Sequence, residues 1–165
     1  MKILLAIDGS TFSHAAIREV GLRPWPPATE ARVVTVDARL DESTLAMGRR
    51  GGLGSSAYDE LVRCQRAEAN DNLDKAAASL RQIAPQLAVS TALLEGSPKE
   101  EIVNEARCWE ADLIVVGSHG RGVIKSLFLG SVSLAVVLSA PCSVLVVRGG
   151  STGAGTPGGG GPAGT

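Results

Sequence analysis

Short apolar runs alternate with segments of helical spacing along most of this chain, and this alternation limits the folds open to it. The apolar runs lie at residues 2–7, 31–36, 87–94, 113–116 and 143–147. Most of them lack polar alternation, which is typical of strands covered on both faces of a sheet. Strands that alternate with helices indicate parallel pairing with right-handed crossovers. We therefore predict an α/β fold in a single domain, a three-layer sandwich around a five-stranded parallel sheet.

Four helices are predicted between these strands, with start and stop signals in the sequence. Ser10 or Thr11 can cap the first helix, and Ser97 with Glu100 forms a capping box before the third. Prolines follow the second and fourth helices, where a helix must end. The fourth helix is almost entirely apolar, so we predict that it is buried. The predicted helices cover residues 12–20, 57–84, 98–109 and 131–139.

Composition and charge restrict the classes of partner. The 165 residues carry a formal net charge of -1, and aromatic residues make up only 3% of the chain. A chain without excess positive charge and with few rings for base stacking does not favour nucleic-acid binding. No stretch is long enough to cross a bilayer, and the first apolar run is too short for a signal peptide. We therefore predict a soluble, cytoplasmic protein that binds neither nucleic acid nor a membrane.

The three cysteines, Cys64, Cys108 and Cys142, are widely separated. They form no CxxC pair and no Cys/His cluster with the spacing of a structural zinc site. This pattern is typical of thiols in a reducing compartment. The sequence therefore predicts no metal site built from cysteine.

Two segments lack the pattern of a core element. Residues 39–56 contain a glycine- and arginine-rich stretch without an apolar period, so we expect a mobile lid or a disordered loop. Residues 149–165 are mostly glycine and contain no charged residue. Such a tail cannot bury enough surface to offset the entropy of ordering it. The predicted domain is therefore 1–148, followed by a disordered Gly/Pro/Ser/Thr-rich tail.

A glycine motif follows the fourth predicted strand. Gly117 and Gly120 come directly after the strand, and Gly130 with Ser131 opens the next helix. Glycine lets a ligand approach the main chain closely, and a helix N-terminus offers N–H groups and a positive dipole end to an anion. The motif therefore predicts a phosphate cradle. Asp8 lies at the same edge of the sheet if strands one and four are neighbours at the switch point.

Two other nucleotide-binding motifs are missing from the sequence. No GxxxxGK[ST] occurs, which excludes a P-loop NTPase. The first strand is followed by Asp8-Gly9-Ser10 rather than GxGxxG, which excludes the dinucleotide fingerprint. The local chemistry therefore indicates a nucleotide without deciding which one.

Three landmarks resemble the signatures of the universal stress protein family. The spacing Gly117-x2-Gly120-x9-Gly130-Ser131 is similar to its ATP-binding signature. Asp8-Gly9-Ser10 with Ser13 is similar to its amino-terminal signature, and Ala140-Pro141-Cys142 is similar to its carboxyl-terminal one. The resemblance covers residues 1–148. Two positions depart from the family pattern, since Ser143 replaces a common proline and Leu134 stands where many relatives have a charged residue.

The resemblance implies a fold, a ligand and a set of contacts. The sheet would have the strand order 3-2-1-4-5 of adenine nucleotide alpha hydrolase-like folds, with ATP between strands one and four. Val36 would pack on adenine, with Asp37 a less certain neighbour, and the glycine motif would approach ribose and phosphates. We assign no catalytic residue and no metal ligand. The candidate cofactor-binding residues are Ala6, Ile7, Asp8, Val36, Gly117, Gly120, Arg121, Gly130, Ser131, Val132 and Ser133.

Several candidates also have a purely structural interpretation. Asp8 could satisfy N–H groups at the first helix, and the two glycines after strand four could serve a tight turn. Arg121 is a candidate for a phosphate contact, whereas Lys125 is more typical of a solvated loop charge. His119 has no recognisable nucleophile with a supporting acid, so we interpret it as a loop residue near the ligand.

The last strand, residues 143–147, predicts an assembly. It would leave an apolar sheet edge exposed, which proteins normally protect, and pairing with the same strand of a second copy would bury it. The resemblance implies such dimers. We therefore predict a homodimeric stress-response regulator that binds ATP, with Mg²⁺ accompanying the phosphates. A slow ATPase or phosphotransferase using the same pocket, and a dimeric interaction module without nucleotide, remain as alternatives.

Overall fold

Strands and helices alternate in the structure as the apolar pattern predicts. The structure is a computed structural model and describes residues 1–37, 55–120 and 129–149. The predicted tail beyond residue 149, residues 39–54 of the predicted loop, Arg121 and Lys125 lie outside these ranges. In chain order the elements are β1 (Lys2–Ala6), α1 (Thr11–Leu22), β2 (Glu30–Asp37), α2 (Ser55–Ile83), β3 (Ala88–Glu95), α3 (Pro98–Cys108), β4 (Leu113–Gly117), α4 (Ser131–Ser139) and β5 (Ser143–Val147).

The five strands form one parallel sheet with the order β3-β2-β1-β4-β5. β1 is the central strand, and its Leu5 lies opposite Val33 of β2 and Val115 of β4. The chain moves outward from β1 to β3, then returns past β1 to β4. The strand order therefore reverses between β1 and β4, and the predicted fold class and strand order are confirmed.

Successive residues of the central strand point to opposite faces of the sheet and enter two separate cores. Ile3 and Leu5 pack with α1 and α2, for example against Leu80, and are fully buried. Leu4 packs on the other face with α3 and α4, for example against Ile102. This period-two alternation explains why the strand is apolar at every position from Ile3 to Ala6, since both faces of the sheet are covered there.

The helix N-termini agree with the predicted caps in one case and differ in another. Ser10 caps α1, because its Oγ accepts the N–H of Ser13 at 3.2 Å. Before α3, the side chain of Ser97 makes no capping hydrogen bond. The N–H groups of Glu100 and Glu101 instead donate to the Ser97 carbonyl, at 2.9 and 2.8 Å. The capping box is therefore wrong in its side-chain bond, although the helix begins where it predicts.

The expectation that α4 is buried is wrong for one of its sides. Only Ser133 and Val136 of this helix are buried. Leu134, Val137 and Leu138 are 46%, 43% and 76% exposed. The helix lies at the β5 end of the sheet, where α3 flanks one side of it and nothing in the described part of the chain covers the other. The apolar pattern therefore predicts correctly that α4 is hydrophobic, but it does not predict how much of the helix surface the rest of this chain buries.

In the described part of the chain, no helix is both long enough and apolar enough to span a bilayer.

Candidate functional site

A cavity of about 590 Å³ opens at the carboxyl ends of the strands, where the strand order reverses. It lies where ligands bind in open α/β sheets. Every candidate site residue within the described ranges lines it. These residues are Ala6, Ile7, Asp8, Val36, Gly117, Gly120, Gly130, Ser131, Val132 and Ser133.

The first turn of α4 forms one end of this cavity. Gly130 is the N-cap residue, and no side chain caps the helix within the described ranges. The N–H groups of Ser131, Val132 and Ser133 have no acceptor inside the helix, because the first turn of any helix lacks one. They lie at the positive end of the helix dipole. This end of the cavity can therefore bind an anion through backbone donors.

Hydrogen bonds within the chain hold α4 against the glycine loop, residues 117–120. The hydroxyl of Ser133 donates to the carbonyl of Gly117 at 2.6 Å, and the N–H of Gly130 donates to the carbonyl of Ser118 at 2.8 Å. A Cβ on Gly130 would lie 3.3 Å from His119 Cα and from the Ser118 carbonyl oxygen. The hydroxyl hydrogen of Ser133 is thus engaged with the loop, so this residue offers the cavity its N–H group.

Gly117 and Gly120 are required by contacts inside the protein itself. A Cβ on Gly117 would lie 2.8 Å from Phe12 Cβ and 3.0 Å from the Phe12 backbone carbon, so β4 could not approach α1 as closely. A Cβ on Gly120 would lie 2.8 Å from Asp8 Oδ2. Neither glycine has a positive φ. Close packing, rather than backbone conformation, therefore explains both residues.

Asp8 combines the two interpretations that the sequence left open. Its Oδ1 accepts the N–H of Ser10 at 3.0 Å and the hydroxyl of Ser13 at 2.5 Å. Its own N–H donates to the Ser13 hydroxyl oxygen at 2.9 Å. The carboxylate therefore organises the entry into α1, as the structural interpretation predicts, and it also lines the cavity.

The end of β2 supplies backbone groups at another part of the cavity. The last bond between β1 and β2 runs from the Ile7 N–H to the Val34 carbonyl at 2.9 Å, so even-numbered residues of β2 direct their backbone groups towards β1. Val36 does so beyond the end of β1. If the pairing of β1 and β2 continued, the Val36 N–H would donate to the Ile7 carbonyl. That carbonyl instead accepts the Thr35 hydroxyl at 2.9 Å. Neither the N–H nor the C=O of Val36 is bonded within the described ranges.

Apolar side chains form a slot beside these Val36 groups. Ala6, Val34 and Val116 contribute from three neighbouring strands, and Pro98 and Ile102 contribute from α3. A donor and an acceptor side by side above an apolar slot can take the edge and the face of a planar base. The contribution of α3 was not predicted, because nothing in its sequence marks it beyond ordinary core residues.

A polar face of α2 also lines the cavity and was missed by the sequence analysis. Gln65, Glu68 and Asn72 lie on it together with Ala69. Their spacing of three and four residues puts them on one side of a helix, and this was a signal that could have found them. Asp37, which the sequence left less certain, lines the cavity too and is only 8% exposed.

His119 lies on the cavity wall next to the first helix. Its ring packs on Phe12 with centroids 5.2 Å apart, and its Nδ1 is 3.2 Å from the Ser118 hydroxyl oxygen. Its Nε2 is buried without a partner in the described part of the chain. Its hydrogen-bond partner is thus a hydroxyl rather than a carboxylate, unlike the histidine of a nucleophile–base–acid triad. No group of three or more His, Cys, Asp or Glu side chains within the described ranges could hold a metal ion.

Comparison with known proteins identifies the family. The family model described as "Universal stress protein family" matches residues 1–148. A universal stress protein of Thermus aquaticus is 36% identical over 146 residues, which are 88% of this chain and 97% of that protein. The chain belongs to the universal stress protein family. Another member, the universal stress protein MJ0531 of Methanocaldococcus jannaschii, is 40% identical over 89% of this chain and 81% of its own length.

Solved structures share the fold of this universal stress protein. The structure of hypothetical protein MJ0577 has a TM-score of 0.76 and 27% identity, and it covers 92% of this chain and 97% of its own. An AMP-bound family protein from Arabidopsis thaliana has a TM-score of 0.66 at 16% identity, covering 92% and 93%. A family member in complex with dAMP has a TM-score of 0.56 at 23% identity and covers 89% of this chain and 97% of its own. A family member in complex with cAMP has a TM-score of 0.62 at 19% identity and covers 91% of this chain and 98% of its own. At these low identities the last three comparisons show the fold alone.

Proposed function

We propose that this protein binds ATP in the cavity and acts as a homodimeric regulatory protein in the cytoplasmic stress response. In this proposal its output is nucleotide occupancy rather than turnover. One observation carries the proposal. A single cavity has unpaired backbone groups of α4 and of Val36 on its wall, with an apolar slot beside the latter. This is the distribution of polarity that a nucleotide requires.

The base and the ribose occupy the β1 and β2 side. Adenine fills the slot, with its edge on the N–H and C=O of Val36 and its face against Ala6 and Val116. Ile7 and Asp8 border the nucleoside where β1 ends. Structural neighbours in complex with AMP, dAMP and cAMP support an adenine nucleotide on this fold, and the choice of ATP rests on the glycine motif.

The phosphates occupy the α4 side. The N–H groups of Ser131, Val132 and Ser133 donate to phosphate oxygens, and the hydroxyl of Ser131 adds a further donor. Gly117, Gly120 and Gly130 let the loop and the helix approach the ligand. Arg121, outside the described residues, contributes a cation. Mg²⁺ accompanies the phosphates and takes most of its ligands from them and from water, as it does in many nucleotide sites.

The homodimer forms through β5. The edge strand Ser143–Val147 carries no charged residue, and the neighbouring helix α4 exposes Leu134, Val137 and Leu138. Two copies related by a two-fold axis bury both features in one self-complementary interface.

A proline substitution at the first position of α4 tests the backbone cradle. Ser131→Pro removes one N–H donor at the position where helices tolerate proline best, and Gly130 before it has φ −59° and ψ 154°, a conformation that proline accepts. Losing a hydrogen bond to a charged group costs about 1.5–3 kcal/mol, so we expect ATP to bind about 10- to 150-fold more weakly by calorimetry. Ser131→Ala is the matched control, because it keeps the N–H and removes only the hydroxyl.

The outcomes separate this proposal from the alternatives. If Ser131→Pro leaves the ATP dissociation constant unchanged, the backbone cradle is wrong. The purified protein should also release ATP when it is denatured and should release little phosphate when it is incubated with ATP and Mg²⁺. Rapid, saturable phosphate release favours the ATPase instead. No released nucleotide, together with no calorimetric signal, favours the interaction module.

A further inference from the structure

The helix α4 contributes to two surfaces at once. Its first turn lines the cavity with Ser131 and Val132. Further along, the same helix exposes Leu134, Val137 and Leu138. A change in the position or stability of this one helix therefore reaches both surfaces.

Within the described residues, few contacts hold α4 in place. It has nine residues, of which only Ser133 and Val136 are buried, and no side chain of the described residues caps its N-terminus. Helices of this length are marginal without tertiary contacts. Its anchors include the bond from the Ser133 hydroxyl to the Gly117 carbonyl, a bond from the Arg107 guanidinium to the Ser139 carbonyl at 3.3 Å, and the packing of Val132 and Val136. A phosphate on the first turn and a protein surface on the exposed leucines would each add what this helix lacks.

The glycine loop joins α4 to the edge strand β5. The N–H of Gly130 donates to the Ser118 carbonyl at 2.8 Å, and the N–H of Ser118 donates to the Val147 carbonyl at 2.7 Å. Ser118 is itself only 2% exposed. The loop that borders the cavity is therefore bonded both to the N-cap of α4 and to the last residue of β5.

The two edges of the sheet differ in a way that indicates what covers β5. On β3, the Arg81 guanidinium donates to the outward-facing Val89 carbonyl at 2.9 Å, and Glu95 pairs with Arg66 at 3.0 Å. β5 directs the backbone groups of Val144 and Val146 outward, because the Val147 carbonyl faces β4. From residue 131 to 147 the chain carries no charge. An uncharged edge strand such as β5 can pair with the same strand of a second copy. The charged side chains at β3 protect that edge against such pairing.

We infer that nucleotide binding and dimerisation are thermodynamically coupled through α4, so that ATP tightens the dimer and the dimer tightens ATP binding. The inference rests on the proposed function and goes beyond it by naming how the site is regulated. Phosphate holds the N-terminal turn of α4, and the partner holds its exposed face. Whichever binds first carries the cost of ordering the helix, so the second binds more favourably. Coupling between two sites is reciprocal, which gives the inference a quantitative test.

Analytical ultracentrifugation over a dilution series measures the first half of the coupling. We expect saturating ATP with Mg²⁺ to lower the dimer dissociation constant by about 5-fold or more. Leu138→Asp should produce a monomer, because it puts a charge on the proposed interface. Leu22→Asp is the matched control, because Leu22 is a similarly exposed leucine, 68%, on a different helix. Leu134→Lys, at another exposed position of α4, provides a second interface variant, and circular dichroism checks that both variants are folded.

Calorimetry measures the second half. The monomeric variant should bind ATP more weakly by the square root of the factor by which saturating ATP lowers the dimer dissociation constant, because each dimer holds two ATP molecules. Leu22→Asp should bind ATP as the wild type does. If ATP binds but leaves the dimer dissociation constant unchanged, the coupling is wrong and the proposed ATP site stands. If the wild type binds no ATP, the proposed function is wrong and the coupling with it. A wild type that stays monomeric with and without ATP overturns both the dimer and the coupling.

Discussion

Gly120→Ala tests the contact between the glycine loop and the end of β1. A methyl group at Gly120 would lie 2.8 Å from Asp8 Oδ2, so the carboxylate must move by about half an ångström to restore an ordinary van der Waals separation. The other oxygen of the same carboxylate resists this movement, since it accepts hydrogen bonds from Ser10 and Ser13. The substitution therefore forces a choice between a strained side chain and weakened hydrogen bonds.

The cost follows from those two effects. A displaced rotamer costs about 0.5–1.5 kcal/mol, and a weakened hydrogen bond costs about 1 kcal/mol. We expect Gly120→Ala to lower the free energy of unfolding by about 2 kcal/mol, which corresponds to about 4–8 °C in Tm for a chain of this size. Urea denaturation without nucleotide measures the change and keeps ligand binding out of the comparison.

A double-mutant cycle with Asp8→Ala isolates the contact. In the Asp8→Ala background the methyl group of Gly120→Ala has room, so its cost should fall below about 0.5 kcal/mol. The general effect of replacing glycine by alanine in the unfolded chain is the same in both backgrounds and cancels. Equal costs of Gly120→Ala in the two backgrounds would refute the reasoning, because the destabilisation would then not come from the carboxylate.

Two further predictions concern the loop and the last strand. Ser133→Ala removes the donor of the 2.6 Å bond to the Gly117 carbonyl, so the free energy of unfolding should fall by about 1–3 kcal/mol. Ser131→Ala, at an exposed position, is the control. Equal denaturation midpoints for the two variants would contradict the prediction. Burial raises the pKa of the Cys142 thiol, and the Asp112 carboxylate adds to the rise. The unfolded thiol therefore ionises at lower pH, and the stability that the protonated thiol contributes is present below the unfolded pKa and is lost as the pH rises above it. Alkylation with iodoacetamide should accordingly require a higher pH at Cys142 in the folded protein than in urea, and identical pH profiles would show that burial has no effect.

Most of the fold could be predicted from local pattern. β1 and β4 are apolar at nearly every position because both faces of the sheet are covered, and the prolines at 85 and 141 stop their helices. The limits of this pattern appear at α4. Its residues Leu134 and Leu138 are of the kind found in protein cores, yet they are exposed. Hydrophobic residues along a helix indicate that a face is to be buried, but they do not indicate whether the same chain or a partner buries it.

The candidate site divides in the same way. The glycine motif and Asp8 were found because their spacing follows strand ends, and the polar face of α2 at Gln65 and Asn72 was missed because it is far from those ends in the chain. Gly120 is instructive, since its spacing suggested an approach to a ligand and the structure also shows an approach to Asp8. Both uses require a residue without a side chain, and sequence alone does not distinguish them.

By itself, the sequence determined the alternation of strands and helices, the parallel sheet and the position of the glycine motif after β4. These depend on periodicity and on single residues with special backbone or capping properties, which act over a few positions. Only the tertiary structure decided that the backbone of Val36 lies open beyond the end of β1, that Ser133 bonds the glycine loop, and that α4 borders both the cavity and an exposed apolar surface. These facts depend on where neighbouring strands end and on which surfaces remain uncovered, and such relations between distant segments are set by packing in three dimensions.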